Sequence, residues 1–247
     1  ISLVISYIAN RLSKKDPSLN KTFGFKRAEI VAAFVNAATL IIVAVLLMVE
    51  AVKRFQEPQE IASGLVIWLA LLAIAGNGLS VLLIKKDSKA NMNMRSAYLH
   101  LITDMMASVA VLVGGLLMKY YEIYWVDSVL TFAIGIYLIV VGYDLLKSAT
   151  HVLMLFTPAD ITLEDIAKGI CKLDEVDNVH HVHVWQLNDK EIHLEAHVDF
   201  NKDITISEFD KILSKIEEVT FHDFGITHIN IQPEFGKCDD KDLVVPD

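Results

Sequence analysis

Four stretches of this 247-residue chain, residues 30–51, 65–84, 97–118 and 126–146, are almost free of charge. Each is close to the ~20 apolar residues needed to cross a hydrocarbon core ~30 Å thick. A fifth run, residues 1–12, reads as the last turns of another span. Few folds accommodate such a pattern. In lipid every backbone polar group must be satisfied internally, so each stretch is expected to be a helix in a multi-pass α-helical membrane domain. The chain opens inside an apolar run with no secretory leader pattern, and from this we expect it to be N-terminally incomplete.

The connections between spans carry the charges and set the orientation. Lys and Arg number six in residues 11–27, two in 53–62, four in 85–95 and one in 119–125. Cytoplasmic loops carry the excess, so the first and third connections face the cytoplasm, together with everything after the last span.

The two parts of the chain belong to different solvents. Residues 1–147 hold 14 Lys/Arg against 10 Asp/Glu, a net of +4, whereas residues 148–247 hold 8 Lys against 21 Asp/Glu, a net of −13. Eight of the nine His also fall in this second part. The acidic balance argues against nucleic acid as a partner and suits the attraction of divalent cations. Cys171 and Cys238 are too few for a disulfide framework, and Cys171 is expected to be packed in a helix.

After Thr157-Pro158 the apolar runs give way to soluble-domain periodicities. Residues 161–173 read as an amphipathic helix, with Thr162 as cap and Asp165 in capping-box position. Residues 179–187 and 191–200 alternate as strands, and Asn188-Asp189 supplies the hairpin turn. A second helix over 207–221 and a third strand over 227–232 complete a C-terminal α/β ferredoxin-like domain. The expected division is therefore a transmembrane domain, residues 1–157, and a cytoplasmic ferredoxin-like domain, residues 158–247.

His100 and Asp104 carry the sharpest chemical signal. They stand at i and i+4 inside the third complete span, so one helix face presents an imidazole and a carboxylate. Ionisable groups at membrane depth are costly and mark ion or proton paths. Nitrogen and oxygen donors suit zinc, which takes four ligands, so further ligands are required. A buried His–Asp hydrogen bond would account for the pair without a metal. Glu50 and Asp127 lie near helix ends, where snorkelling suffices, and Asn36 and Asn77 read as helix-packing hydrogen-bonders. The further ligands are expected upstream of Ile1.

The run Thr22-Phe23-Gly24-Phe25-Lys26-Arg27-Ala28-Glu29-Ile30 closely resembles the loop before the third helix of cation diffusion facilitators. His100-Leu101-Ile102-Thr103-Asp104 is similar to that family's fifth-helix HxxxD motif. Val182-His183-Val184-Trp185 and Ala196-His197-Val198 resemble its cytoplasmic strands, and Thr157-Pro158 its junction. The likeness covers essentially the whole chain. It implies a homodimeric antiporter in the bacterial inner membrane, exporting cytoplasmic zinc in exchange for protons, with Cd2+ or Co2+ as further substrates. It also implies His100 and Asp104 as ligands of the transport site, and His180, His197 and Glu234 as a cytoplasmic metal site with Gln232 nearby. A histidine that titrates near neutrality suits the trade of proton for metal. Where relatives carry a loop His this chain has Lys21, and a cation does not ligate metal, so that peripheral site is not carried over. Leu155-Phe156 likewise stand where relatives often have an acidic residue, which removes a charge contact for Arg27.

Strand periodicity alone places His181 and His183 on one face and His180 on the other. His183 beside Trp185 reads as a packed structural residue, and His181, His193, His222 and His228 as ordinary surface or turn histidines. A membrane-anchored metal sensor or scaffold is the alternative to transport, but a passive anchor has no reason to bear an intramembrane His/Asp pair. No HExxH helix, serine nucleophile motif or phosphate-binding glycine loop is present, so the sequence gives no support to an enzyme.

Overall fold

The fold comes from a computed structural model that describes residues 2–57, 63–84 and 92–245, the side chains of 2–4, 6, 63, 84 and 92–103 excepted. Every predicted span is helical and longer than its apolar stretch. After α1 (Ser2–Ser13) come α2 (Ala28–Gln56), α3 (Ser63–Ile84), α4 (Met92–Tyr121) and α5 (Trp125–Leu153). Among the described residues, four helices are long and apolar enough to cross a membrane. The extra turns carry Lys53, Arg54, Lys119 and Tyr120, residue types suited to the ends of a span because a long apolar stem ends in a polar group.

The chain forms two compact units, Ala38–Tyr143 and the combination of Ile1–Ala37 with Asp144–Asp247. In the first, small residues let helices approach, as expected where lipid supplies no hydrophobic drive between them. A Cβ on Gly135 of α5 would collide with Met48 of α2 and lie 3.5 Å from the carbonyl of Ala44. One on Gly115 of α4 would lie 3.0 Å from Ile67 of α3. Ala44 and Ala51 are buried, whereas Leu46, Leu72 and Leu83 face outward. Glu50 and Asp127 do not simply snorkel. Arg54 sits 2.9 Å from Asp127 and 3.7 Å from Glu50, tying the end of α2 to the start of α5.

In the second unit Ile30 of α2 packs with Ala149 and Val152 of α5. Its larger core belongs to α6 (Leu163–Ile170), β1 (Val176–Asn188), β2 (Glu191–Phe200), α7 (Ile206–Phe224) and β3 (His228–Glu234). The sheet order is β1-β2-β3, with β1 antiparallel and β3 parallel to β2. A parallel pair needs a crossover, and α7 provides it. Ile166 and Ile170 of α6 and Ile212 and Ile216 of α7 meet Val179, Val182, Leu194 and Val198 of the sheet. The resulting αββαβ arrangement is of the ferredoxin-like kind.

Local chemistry places the ends differently from expectation. The capping box belongs to α7: Glu208 N–H donates to the Thr205 hydroxyl, and Thr205 N–H donates to the Glu208 carboxylate. Thr162 is the residue before α6 but accepts no backbone hydrogen bond there; its hydroxyl donates to the Asp165 carboxylate. At the other end of α7, Gly225 adopts φ 68°, and the N–H groups of Gly225 and Ile226 reach the carbonyls of Phe221 and Thr220. That left-handed cap favours glycine. Cys171 ends α6 as an exposed cap residue and is not packed inside a helix. In the hairpin, Asn188 closes β1 and accepts from the N–H groups of Lys190 and Glu191, so the turn is centred on Asp189-Lys190.

Candidate metal centre

Along β2, Leu194, Ala196, Val198 and Phe200 enter the core. His193, Glu195, His197 and Asp199 therefore occupy the other face, away from the helices. On β1 the alternation is broken. Val179 pairs with Val198 and His180 with His197, but the next pair is His183 with Glu195, so two residues of β1 oppose one of β2. His181 in this bulge takes φ 49°, and its N–H is bonded to the carbonyl of Asp242. A bulge re-aims side chains. Here the His180 and His181 rings both reach His197, with centroids 5.3 and 4.6 Å away, and the simple alternation that separated them fails.

The bulge gathers one cluster at the end of the sheet. Pairing of Asp199 with Glu234 brings the end of β3 beside β2. His197 Nδ1 lies 3.0 Å from Glu234 Oε1, and His180 Nε2 lies 3.4 Å from Glu234 Oε2. Asp239, from the segment after β3, approaches His180 Nε2 to 3.9 Å. One ligand atom from each of His180, His197, Glu234 and Asp239 falls within 4.8 Å of every other. His180 is fully buried and Glu234 nearly so. Gln232 donates to Glu234 Oε1 at 2.8 Å and so orients that carboxylate.

Electrostatics keep the donors in a form that can ligate. Burial pushes the Glu234 carboxyl up, but hydrogen bonds from Lys237, Gln232 and Lys241 outweigh it and hold its pKa below the usual range. Burial lowers the His197 pKa, only partly offset by Glu234, so the ring favours its neutral state. Lys237 and Lys241 hold Asp239 strongly ionised. The Nδ1 atoms of His180 and His197 are buried and make no well-aligned hydrogen bond, although each faces a carboxylate, Asp199 Oδ2 at 3.4 Å and Glu234 Oε1 at 3.0 Å. Two ring nitrogens beside two ionised carboxylates make a two-nitrogen, two-oxygen donor set that fits a zinc-type ion.

The three cytoplasmic residues singled out from sequence thus come together, and Asp239 joins them. Asp199 was legible in principle, two positions from His197 on the same strand face. Asp239, Lys237 and Lys241 lie in an irregular segment with no periodic signal. His193 is a departure of another kind: far from being a surface residue, it is buried, stacked on Trp185 and in contact with Phe23 and His228. His222 and His228 are exposed, while His181 and His183 are partly buried and face each other. In the membrane part, His100 and Asp104 both fall on α4, and Asp104 is partly buried. The His100 side chain lies outside the described residues.

Comparison with known proteins agrees with this architecture. Residues 1–154 match the family of the cation efflux transmembrane domain, and residues 158–235 match the cation efflux protein, cytoplasmic domain. A "Cadmium, cobalt and zinc/H(+)-K(+) antiporter" of Bacillus velezensis is 36% identical over 95% of this chain and 75% of its own length. A "Zinc transporter ZitB" of Pectobacterium atrosepticum is 31% identical over 97% of this chain and 74% of its own. A "Metal cation efflux system protein CzcD" of Cupriavidus metallidurans is 30% identical over 98% and 76%, respectively. Two matched domains in sequence, four apolar helices and a small mixed sheet have one common reading: the chain belongs to the cation diffusion facilitator family of integral-membrane cation efflux proteins.

Proposed function

We propose that the protein exports zinc from the cytoplasm by Zn2+/H+ antiport, with Cd2+ and Co2+ as further substrates. The reading is carried by one observation: His100 and Asp104 lie one turn apart on α4, a helix otherwise suited to lipid. An imidazole and a carboxylate exchange protons for a metal near neutral pH, because the metal requires both groups deprotonated. Residues 1–157 form the transmembrane domain of this transporter and residues 158–247 its cytoplasmic domain. The protein works as a homodimer in the bacterial inner membrane. His180, His197 and Glu234 bind a second, regulatory metal ion in the cytoplasm.

Zinc uptake into everted vesicles under a preset pH gradient tests the reading. Wild-type protein should take up zinc in proportion to the gradient, and Asp104→Ala should fall to background. Gradient-dependent uptake that survives the substitution would remove His100 and Asp104 from the transport site. No uptake by the wild type would favour a metal sensor instead.

A further inference from the structure

The cluster around His180 already contains a cation. Lys241 Nζ lies 2.5 Å from Asp239 Oδ1, 3.0 Å from Asp199 Oδ1, 3.2 Å from Glu234 Oε2 and 3.4 Å from His180 Nε2. Its ammonium thus touches three of the four residues that would hold a metal, and it uses the same lone pairs. Lys237 covers the remaining carboxylate oxygens, 2.7 Å from Glu234 Oε1 and 2.8 Å from Asp239 Oδ2. A metal ion and this ammonium cannot share the position.

Placement of Lys241 is not left to a free side chain. The segment after β3 returns along β1, where the N–H groups of His181 and Val182 donate to the carbonyls of Asp242 and Leu243 at 3.1 and 2.8 Å. Leu243 packs on the domain core. The β1 bulge, which gathers the histidines, therefore also docks the irregular segment that delivers the lysine. Its presence has a physical reason. Glu234 is almost fully buried, and a buried carboxylate without a partner destabilises a fold severely. Three carboxylates (Asp199, Glu234, Asp239) facing two ammonium groups leave one formal negative charge. Exchange of Lys241 for a divalent cation brings that balance to zero.

We infer that Lys241 is a built-in competitor of the regulatory metal: its ammonium holds the site in the metal-free chain, and metal binding drives it into solvent. This rests on the cytoplasmic site read above as metal-binding and adds what sets its affinity. A site that must first expel an internal cation binds with an apparent affinity reduced by the fraction of molecules in which it is open. It therefore responds only above a threshold of cytoplasmic metal. Asp239, on the same segment, stays behind as the fourth ligand when Lys241 leaves.

The test uses the whole protein in detergent, with Co2+ and Zn2+ as probes. Lys241→Gln should bind Co2+ about tenfold more tightly at the cytoplasmic site, as expected if the lysine occupies it in nine molecules of ten. Lys241→Arg, which keeps the charge, should not gain affinity. In wild type, Zn2+ should raise acetylation of Lys241 severalfold by mass spectrometry, with Lys202 unchanged as control, and His180→Ala should abolish that rise. Unchanged Co2+ affinity in Lys241→Gln, or Lys241 acetylation indifferent to Zn2+ while His180→Ala still weakens binding, overturns the competitor and leaves the metal site standing. If His180→Ala changes neither Co2+ binding nor acetylation, the metal site falls as well.

Discussion

The same residue type is treated in opposite ways in the two units. Ile216 of α7 is completely buried, whereas Ile42 of α2 is 60% exposed. In the αββαβ domain water is the solvent, and apolar side chains leave it for a common core. Along the spans lipid is the solvent, outward-facing aliphatics lose nothing, and helices meet instead through Ala44, Gly115 and Gly135. Charge is inverted too. Arg54 draws Glu50 and Asp127 together at the ends of α2 and α5, while the cytoplasmic sheet concentrates carboxylates, histidines and lysines at one edge. Burial by itself, then, does not measure a residue's contribution; what it is buried from does.

The sharpest way to break this contrast is to truncate the two isoleucines. Ile216→Ala should cost about 2–5 kcal/mol, the usual price of a cavity in a packed core. Ile42→Ala should stay within about 0.5 kcal/mol, as for a position outside any core. Thermal unfolding in detergent micelles, followed by hydrogen exchange of each unit, reads both. Equal losses would mean that α2 packs as tightly at Ile42 as α7 does at Ile216.

A smaller effect separates the two helix starts within the cytoplasmic domain. Thr205→Ala removes the hydroxyl that accepts from Glu208 N–H in the capping box and should cost about 1 kcal/mol. Thr162→Ala removes a hydroxyl that bonds only a neighbouring carboxylate and should cost clearly less. Chemical denaturation of the two variants would reveal a cap at Thr162 if their losses matched.

The gentlest test is pH. Burial, then the nearby His228, lowers the His193 pKa, with Glu191 partly opposing. A histidine whose folded pKa is depressed is neutral in the fold. Its stabilising contribution is complete above the unfolded value of about 6.5 and is lost as pH falls below it. The stability of the cytoplasmic domain should therefore decline as pH drops from 7 toward 5, and His193→Gln should make that decline shallower. An unchanged slope would assign the pH dependence to other groups.

Much of this was legible without coordinates. The apolar stretches announced the four spanning helices, because a span is a matter of local length and hydropathy. Residues 191–200 matched β2 end to end through strict alternation. Resemblance gathered His180, His197 and Glu234 before the sheet did. Errors came where local pattern meets a competing partner. Thr162 had the right residues for a capping box, yet its hydroxyl accepts no backbone N–H, and the box formed at Thr205. Cys171 had a helical neighbourhood but became its exposed end. His193 looked like a surface histidine until Trp185, Phe23 and His228 closed around it.

The sequence by itself determined the solvent of each segment, the order of helices and strands, and the donor types available to a metal. Those follow from composition and from periods of 2 and 3.6 residues, which are local. Tertiary structure alone decided which donors meet. The bulge at His181 set His180 beside His197, and the segment after β3 carried Asp239, Lys237 and Lys241 into the same small volume. Such meetings depend on strand register and chain return over dozens of residues, for which no local spacing stands as a sign.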